Sequence, residues 1–328
     1  MPTDINIVVT CTKRKLLPVP ERLELRGCSG RSTRERANRW TRRLASAESS
    51  LTPANAVYAG DHWATVRSFP EAAAKGGLRA RIWVLSAGYG LIAWDAPIMA
   101  YSATFSADHP DSVCSSGLGQ SPVVARNSWW EALSEWDGPQ ADTPRTLTEL
   151  AQEDSKTPLL VVASNVYLSA IQPDLLRARD LLRTPDLLSV VSAGCDTLGQ
   201  LTDHLVPADA RLKHLVGGGM QSLNVRIARK ILEEARRWSP RRATLTKRYK
   251  GLLSRQRDFV QPQRTPMSDE EIRAYVLKAL DENPKITRSP LLRRLRDSGK
   301  ACEQKRFGSL FVEVAADFQN AQGKVLNG

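Results

Sequence analysis

The sequence predicts an α/β fold, in which an open, mostly parallel sheet carries helices on both faces, followed by a C-terminal helix-turn-helix module. Short apolar runs alternate with amphipathic stretches over residues 1–238, and strands that alternate with helices form parallel sheets. Several of these runs end in small or polar residues, which is expected where strands share a ligand-binding crevice at their carboxyl ends. Three short helical stretches after residue 266 predict the second module.

The elements of the sheet domain follow from the apolar pattern. Strands are predicted at residues 5–10, 82–85, 159–164 and 187–192. A further strand is expected at 212–216, before three glycines, and a short strand or turn at 56–60. Helices are predicted at 34–47, 62–75 and 223–238, with two more near Trp129 and from about Tyr167.

The composition excludes several classes of protein. No apolar run approaches the roughly 20 residues that cross a bilayer, and residues 5–9 are too few for the apolar part of a signal peptide. The five cysteines are scattered and form no CxxC pair, which argues against a zinc finger or a disulfide framework. We therefore expect a cytoplasmic protein that has no membrane partner.

The positive charge is concentrated in two stretches of the chain. The formal net charge is +12, residues 13–43 hold 11 basic and three acidic side chains, and residues 236–264 hold ten basic and one acidic. The sequence between them is acidic on balance. Segregated positive charge is typical of a protein that binds a polyanion, because each phosphate that is neutralised releases counterions. The alternative is a solvated basic surface that has no partner.

The C-terminal part predicts a separate DNA-binding module. Ser268 and Glu271 form a capping box for a helix to about residue 281, and two more helices are expected at 291–297 and 302–316. We therefore divide the chain into an α/β domain at 1–238, a basic linker at 239–265 and a helix-turn-helix module at 266–328. The alternative is a helical dimerisation module. The DNA-binding candidates are Arg293, Arg294, Lys305 and Arg306.

The stretch at residues 81–92 is the most informative motif. An apolar strand runs directly into Ser-Ala-Gly-Tyr-Gly, whose small residues allow a sharp turn and a close approach. Polar and aromatic groups at this strand end, Ser86, Tyr89, Asp95 and Tyr101, are well placed for chemistry in the crevice. The alternative is a junction whose glycines only relieve crowding.

Residues 8–15, 86–91 and 219–226, with Asp95 and Tyr101, resemble a superfamily with a uracil-DNA-glycosylase-like α/β fold. It includes peroxide-stress DNA-binding proteins and a domain attached to archaeal tRNA-guanine transglycosylases. With its C-terminal module, the chain resembles bacterial anti-phage DNA glycosylases that remove glucosylated hydroxymethylcytosine from viral DNA. The resemblance implies duplex DNA as the partner, with the modified base flipped out and an abasic site as the product. Because the Gly-Gln-Asp-Pro-Tyr-His and His-Pro-Ser motifs of ordinary uracil-DNA glycosylases are absent, their catalytic residues cannot be transferred by position.

The implied reaction requires a carboxylate, which stabilises an oxocarbenium-like sugar or orients water. Asp95 is the first candidate because it closely follows the strand-end loop, although a turn residue before Pro97 would look the same. Asp61, beside His62, is the second candidate, with a helix cap as the alternative. Asp196 is the third.

A flipped base needs flat stacking partners and polar groups that read its edge. Tyr89 and Tyr101 are the candidates for stacking, although an aromatic residue at either position is also typical of a core. The candidates for reading the edge are Ser86, Asn165 and Asn224.

Two lysines follow the first strand. No cofactor is expected. Lys13 and Lys15 are candidates for phosphate contact or for a Schiff base with the abasic sugar. The four histidines are dispersed, which predicts no metal site, and the glycine run at 217–219 lacks the Lys-Ser/Thr of a phosphate-binding loop. Two other functions stay open: a non-catalytic DNA-binding protein, and a base-exchanging transglycosylase that acts on RNA.

Overall fold

The computed structural model describes residues 3–46, 51–114, 119–258 and 263–325, with residues 320–325 described by their backbone alone. The described residues form two compact units, which divide after Asp258. Each unit has a hydrophobic core of its own. None of the described helices is long and apolar enough to span a membrane.

The first unit confirms the α/β fold class. Its main sheet has five strands in the order β4-β3-β1-β6-β7, in which β3, β1, β6 and β7 are parallel and β4 is antiparallel. Residues 5–10 of the central strand are all buried, because helices cover both faces of the sheet. The strands described in this unit are β1 (Thr3–Thr10), β2 (Thr52–Pro53), β3 (Leu78–Ser86), β4 (Gly90–Ala93), β5 (Pro97–Ile98), β6 (Leu159–Val162) and β7 (Leu188–Val191).

The helices pack in two groups beside the sheet. In one group α5 contacts both α1 and α7, and in the other α9 contacts both α3 and α4. The helices described in this unit are α1 (Thr33–Ala45), α2 (Ala54–Val57), α3 (Asp61–Val66), α4 (Phe69–Lys75), α5 (Pro122–Ser134), α6 (Leu147–Glu153), α7 (Asn165–Leu181), α8 (Lys213–Val216), α9 (Leu223–Glu233) and α10 (Arg242–Leu253).

Three local predictions for this unit were wrong, and one strand was missed. Residues 213–216 form α8 and not a strand, and the first two residues of the short strand or turn expected at 56–60 belong to the helical turn α2. The helix predicted at 62–75 is two helices, α3 and α4, because Pro70 lacks the N–H that a continuous helix needs. The antiparallel strand β4 was not predicted at all. The end of the first predicted helix, residue 47, lies outside the described residues.

The predicted linker at 239–265 contains a helix of the first unit, α10. Leu245 and Tyr249 of α10 are each 1 % exposed and belong to the core of the sheet domain. Their spacing of four residues places them on one face, and the basic residues around them concealed this pattern in the sequence. Residues 259–262 lie outside the described part of the chain.

The second unit contains the three predicted helices. They are α11 (Asp269–Glu282), α12 (Arg288–Asp297) and α13 (Gln304–Val325), and α13 extends beyond the predicted end. The capping box is present, because Ser268 and Glu271 each accept a backbone N–H of the other. Two short parallel strands, β8 (Thr265–Pro266) and β9 (Lys300–Ala301), precede α11 and α13.

Candidate active site at the carboxyl edge of the sheet

The strand order of the main sheet reverses around β1. The chain passes from β1 to β3 on one side, and it later returns to place β6 on the other side. In open α/β sheets, ligands bind beyond the carboxyl ends of the strands at such a reversal. The two sides meet here, because the Cys11 sulfur after β1 lies 3.2 Å from the Tyr167 hydroxyl after β6.

The polar groups at the end of β3 bond to one another. The Ser86 hydroxyl lies 2.7 Å from the Tyr101 hydroxyl and accepts the backbone N–H groups of Gly88 and Tyr89. The Tyr101 hydroxyl also lies 3.2 Å from that of Tyr58. Burial raises the pKa of Tyr101 well above its ordinary value, so its hydroxyl stays protonated.

The turn after β3 is fixed by tryptophan side chains. The indole N–H of Trp129 donates to the Ala87 carbonyl, and that of Trp40 donates to the Gly88 carbonyl, each at 2.8 Å. A Cβ on Gly88 would lie 2.5 Å from the Tyr101 ring, so glycine is required for this close contact. The turn is therefore a packed junction.

Tyr89 is fixed in the same way. Its hydroxyl accepts the backbone N–H of Met99, and its carbonyl accepts a guanidinium N–H of the buried Arg145. Burial raises the pKa of Tyr89 to about 12. Ser86, Tyr89 and Tyr101 are 0 %, 2 % and 0 % exposed, so the structure brings these three predicted pocket residues together as core residues, with no face open to a ligand.

The two predicted asparagines have different environments. The Asn224 amide donates to the Ala163 carbonyl and accepts the Ala193 N–H, so it joins the ends of β6 and β7 and has few groups left for a base. Asn165 is exposed at the first turn of α7, at the carboxyl end of β6. Of the two, Asn165 is open to a ligand.

Asp95 lies away from this edge. Because β4 runs antiparallel to β3, it carries the chain back along the sheet, and the Trp94 N–H bonds to the Ile82 carbonyl. Trp94 is therefore beside the middle of β3, about 13 Å from the Ser86 end at the usual strand rise, and Asp95 follows it. It is an exposed turn residue between β4 and β5.

Asp61 lies at the carboxyl edge, at the start of α3. It accepts a guanidinium N–H of Arg226 at 2.7 Å, and its side chain is 56 % exposed. Hydrogen bonds from Ser222 and Arg226 lower the pKa of Asp61, so the carboxylate is ionised. Gly218 makes room for this pair, because a Cβ there would lie 2.1 Å from the Arg226 guanidinium.

His62 connects Asp61 to the central strand. Its Nε2 lies 3.2 Å from the carbonyl of Thr10, the last residue of β1. Burial lowers the pKa of His62, although contacts with the backbone of Thr10 and Gln221 oppose the shift. A neutral imidazole therefore lies beside an ionised carboxylate at the strand reversal.

Asp196 is exposed in the loop after β7, at one end of a groove of about 810 Å³. Arg211 is bound by Asp209, whereas Lys247 and Lys250 make no salt bridge within the described part of the chain. The second basic stretch of the sequence thus supplies one wall of the groove. Its polar and charged lining is formed by Cys195, Asp196, Thr202, Asp203, Asp209, Arg211, Arg242, Thr246, Lys247 and Lys250.

The loop after β1 carries the two predicted lysines. Lys13 is exposed, and its ammonium makes no salt bridge among the described residues. The Lys15 ammonium donates to the Thr12 carbonyl at 2.7 Å and to the Lys13 carbonyl at 3.2 Å, and it lies 4.4 Å from the centre of the Tyr101 ring. Burial lowers the pKa of Lys15.

Two arginines of the first basic stretch, Arg26 and Arg36, support the fold. The buried Arg36 donates to the carbonyls of Cys28, Leu25 and Ser112. Arg26 binds Asp111 through two hydrogen bonds. Charge counting in the sequence therefore overstates the positive surface that is open to a polyanion.

The four predicted cations of the second unit are all exposed. Arg294 lies 3.5 Å from Glu282, and Arg306 is bonded to Asp269. Arg293 and Lys305 make no salt bridge within the described residues. Two of the four are thus fully available to a phosphate.

Three residues of this edge were not predicted from the sequence: Tyr58, Tyr167 and Arg226. Tyr167 lies five residues after the last residue of β6, a position comparable to the one that singled out Tyr89 after β3. Arg226 falls inside the segment 219–226 that carries the resemblance. Tyr58 had no comparable signal, because its role depends on contacts with residues far along the chain.

Comparison of the chain with protein-family models, with curated proteins and with solved structures gave no match. Among the described residues, no three His, Cys, Asp or Glu side chains are grouped so that they could bind a metal ion.

Proposed function

We propose that this protein is a DNA glycosylase of the uracil-DNA-glycosylase-like superfamily, which removes glucosylated hydroxymethylcytosine from phage DNA and leaves an abasic site. The identity of the base follows from the resemblance of the motifs and of the two-part organisation. The chemistry follows from the groups at the carboxyl edge of the sheet.

The observation that carries the proposal is the position of Asp61. It is an ionised, half-exposed carboxylate at the strand reversal, and Arg226 holds it in place. Cleavage of an N-glycosidic bond develops positive charge on the sugar, which a fixed carboxylate stabilises. Asp61 therefore replaces Asp95 as the first candidate for the catalytic carboxylate, and Asp196 is second.

The distribution of free cations supports DNA as the substrate. Lys13 and Arg14 extend from the loop after β1, and Lys247 and Lys250 line the groove beyond β7. All four are exposed and belong to the unit that contains Asp61. Cations at the strand reversal and beyond β7 suit a phosphate backbone that runs along this edge while one base is flipped towards it.

The second unit is proposed as a helix-turn-helix reader of duplex DNA. Its three helices and the turn at Gly299 fit that arrangement. Lys305 and Arg306 lie in the first turn of the third helix, the end that contacts base edges in such modules.

Alkaline cleavage of treated DNA tests the proposal. The full-length protein is incubated with DNA that contains glucosylated hydroxymethylcytosine, and the DNA is then heated in alkali, which cuts abasic sites. We expect cuts at the modified positions, and none in matched DNA that carries unglucosylated hydroxymethylcytosine. Cuts in neither DNA, with binding preserved, would refute the proposal.

One observation favours a second candidate, a non-catalytic DNA-binding protein. Tyr89 and Tyr101 are buried and fully packed, so the stacking partners that the sequence suggested are closed to a flipped base. In that case the exposed lysines and Arg14 would bind DNA, and the role of Asp61 would be limited to its salt bridge with Arg226. Intact DNA in the alkaline test, together with a normal affinity for duplex DNA, would support this candidate.

A further inference from the structure

Lys15 has an unusual environment for a lysine. Its ammonium donates to two backbone carbonyls, those of Thr12 and Lys13, and lies over the rings of Tyr58 and Tyr101 at 5.3 and 4.4 Å from their centres. No carboxylate forms a salt bridge with it among the described residues. The side chain is half-buried, and Tyr101, whose ring lies next to the ammonium, bonds to Ser86 at the carboxyl end of β3.

The same loop joins Lys15 to the segment that carries Asp61. The backbone of Lys15 pairs with that of Tyr58, and the Ala59 N–H bonds to the Arg14 carbonyl. Two residues later the chain reaches Asp61. The amine and the candidate catalytic carboxylate therefore belong to two loops that are hydrogen-bonded to each other.

An amine in this position is suited to nucleophilic attack. Backbone carbonyls and the two aromatic faces fix its position, and they favour the ammonium form less strongly than a carboxylate would. The aromatic faces also exclude water from one side. Burial lowers its pKa, so a larger fraction carries a free lone pair near neutral pH than in an exposed lysine. The groups that face it are the Cys11 thiol and the two tyrosines.

We propose that the Lys15 amine attacks C1′ of the abasic sugar, so that the protein also cleaves the DNA strand at an abasic site. This inference rests on the proposed glycosylase function, because the substrate of the second reaction is the product of the first.

The reaction balances without an oxidant or a reductant. The amine loses a proton to solvent, adds to C1′ of the open-chain aldehyde and loses water to give an imine. The imine acidifies the C2′ proton, which passes to water, and the C3′–O bond then breaks as the phosphate leaves with the electron pair. Water hydrolyses the conjugated imine, which frees the unsaturated sugar aldehyde and restores the amine.

Borohydride trapping on a preformed abasic site tests the inference. The full-length protein is mixed with duplex DNA in which an abasic site has been made beforehand from uracil, and borohydride is added to reduce any imine. We expect a covalent protein–DNA complex, whose linkage mass spectrometry assigns to Lys15. K15R, which keeps the charge, should lose the complex, and K75R, at an exposed lysine of α4 that is paired with Glu71, should keep it.

A pH series adds a readout that a structural role would not change. The trapping rate should rise with pH with a midpoint below the ordinary lysine value of 10.5. The absence of a trapped complex with the unmodified protein would overturn the inference, whether or not K15R folds normally. A complex that is linked at another residue, together with a fully active K15R, would also overturn it. Because the abasic site is preformed, trapping without excision of the modified base refutes the glycosylase alone, and excision without trapping refutes the lyase alone.

Discussion

The loops that follow β1 and β3 leave the same edge of the sheet, but they are built in opposite ways. After β3, the hydroxyl of Ser86 and the carbonyls of Ala87 and Gly88 all bond to buried partners. After β1, the side chains of Lys13 and Arg14 are exposed and make no salt bridge within the described residues. The first loop stabilises the fold, and the second is open to a substrate.

The comparison shows why a motif of polar and aromatic residues at a strand end is ambiguous. Ser86 and Tyr101 are the residue types that a base pocket needs, but buried polar groups must also bond to one another when they support a turn. The alternative reading of this motif, a packed junction, agrees with the observed contacts.

The largest expected effect separates Asp61 from Asp95. D61N keeps the volume and removes the charge, so excision of the modified base should fall by about two to four orders of magnitude. D95N, an exposed control away from the edge, should excise normally. Single-turnover excision assays on both variants check this. An active D61N together with an inactive D95N would assign the catalytic role to Asp95.

The next effect concerns the stability of the loop after β3. S86A leaves the N–H groups of Gly88 and Tyr89 and the hydroxyl of Tyr101 without their partner, so the free energy of unfolding should fall by about 1–3 kcal/mol. Excision per folded molecule should hold. S164A, an exposed residue whose side chain makes no capping bond, is the control and should stay within about 0.5 kcal/mol. Urea denaturation measures both, and a stable but inactive S86A would show that Ser86 belongs to the active site.

A smaller effect is expected in the second unit. The slope of log affinity for duplex DNA against log salt should fall by about two in R293A/K305A, because each free cation accounts for about 0.9 of the slope. R294A/R306A, whose cations are paired with Glu282 and Asp269, should change it less. Reversal of all four charges should weaken binding further. An unchanged affinity in that fourfold variant would make the unit a protein-interaction element.

The smallest effect concerns the loop after β1. K13A removes one exposed cation, so the salt slope should fall by about one, with no change in stability. K75A, which removes a cation paired with Glu71 on α4, is the matched control and should leave the slope unchanged. Titrations at several salt concentrations measure both, and equal slopes would place the DNA backbone elsewhere on this unit.

The sequence predicted the parallel strands well because each is a short apolar run buried on both faces. It did not predict the direction of β4, because the run at 90–93 is too short for its periodicity to indicate whether the chain turns back. That direction decides where Asp95 lies. The core residues of α10 were concealed by the basic residues around Leu245 and Tyr249. The contact between Cys11 and Tyr167 spans 156 positions of the chain, and no local pattern reports it.

Mass spectrometry of the reaction products tests the central claim most directly. The protein is incubated with DNA that carries glucosylated hydroxymethylcytosine, and both the small molecules released and the DNA itself are analysed. We predict the free glucosylated base in solution and an equal amount of abasic sites in the DNA, counted together with the strand breaks that the lyase reaction makes from them, with both lost in D61N. A released base accompanied by a new base in the nucleic acid would indicate exchange, and no released base from DNA that the protein binds would contradict catalysis at this edge.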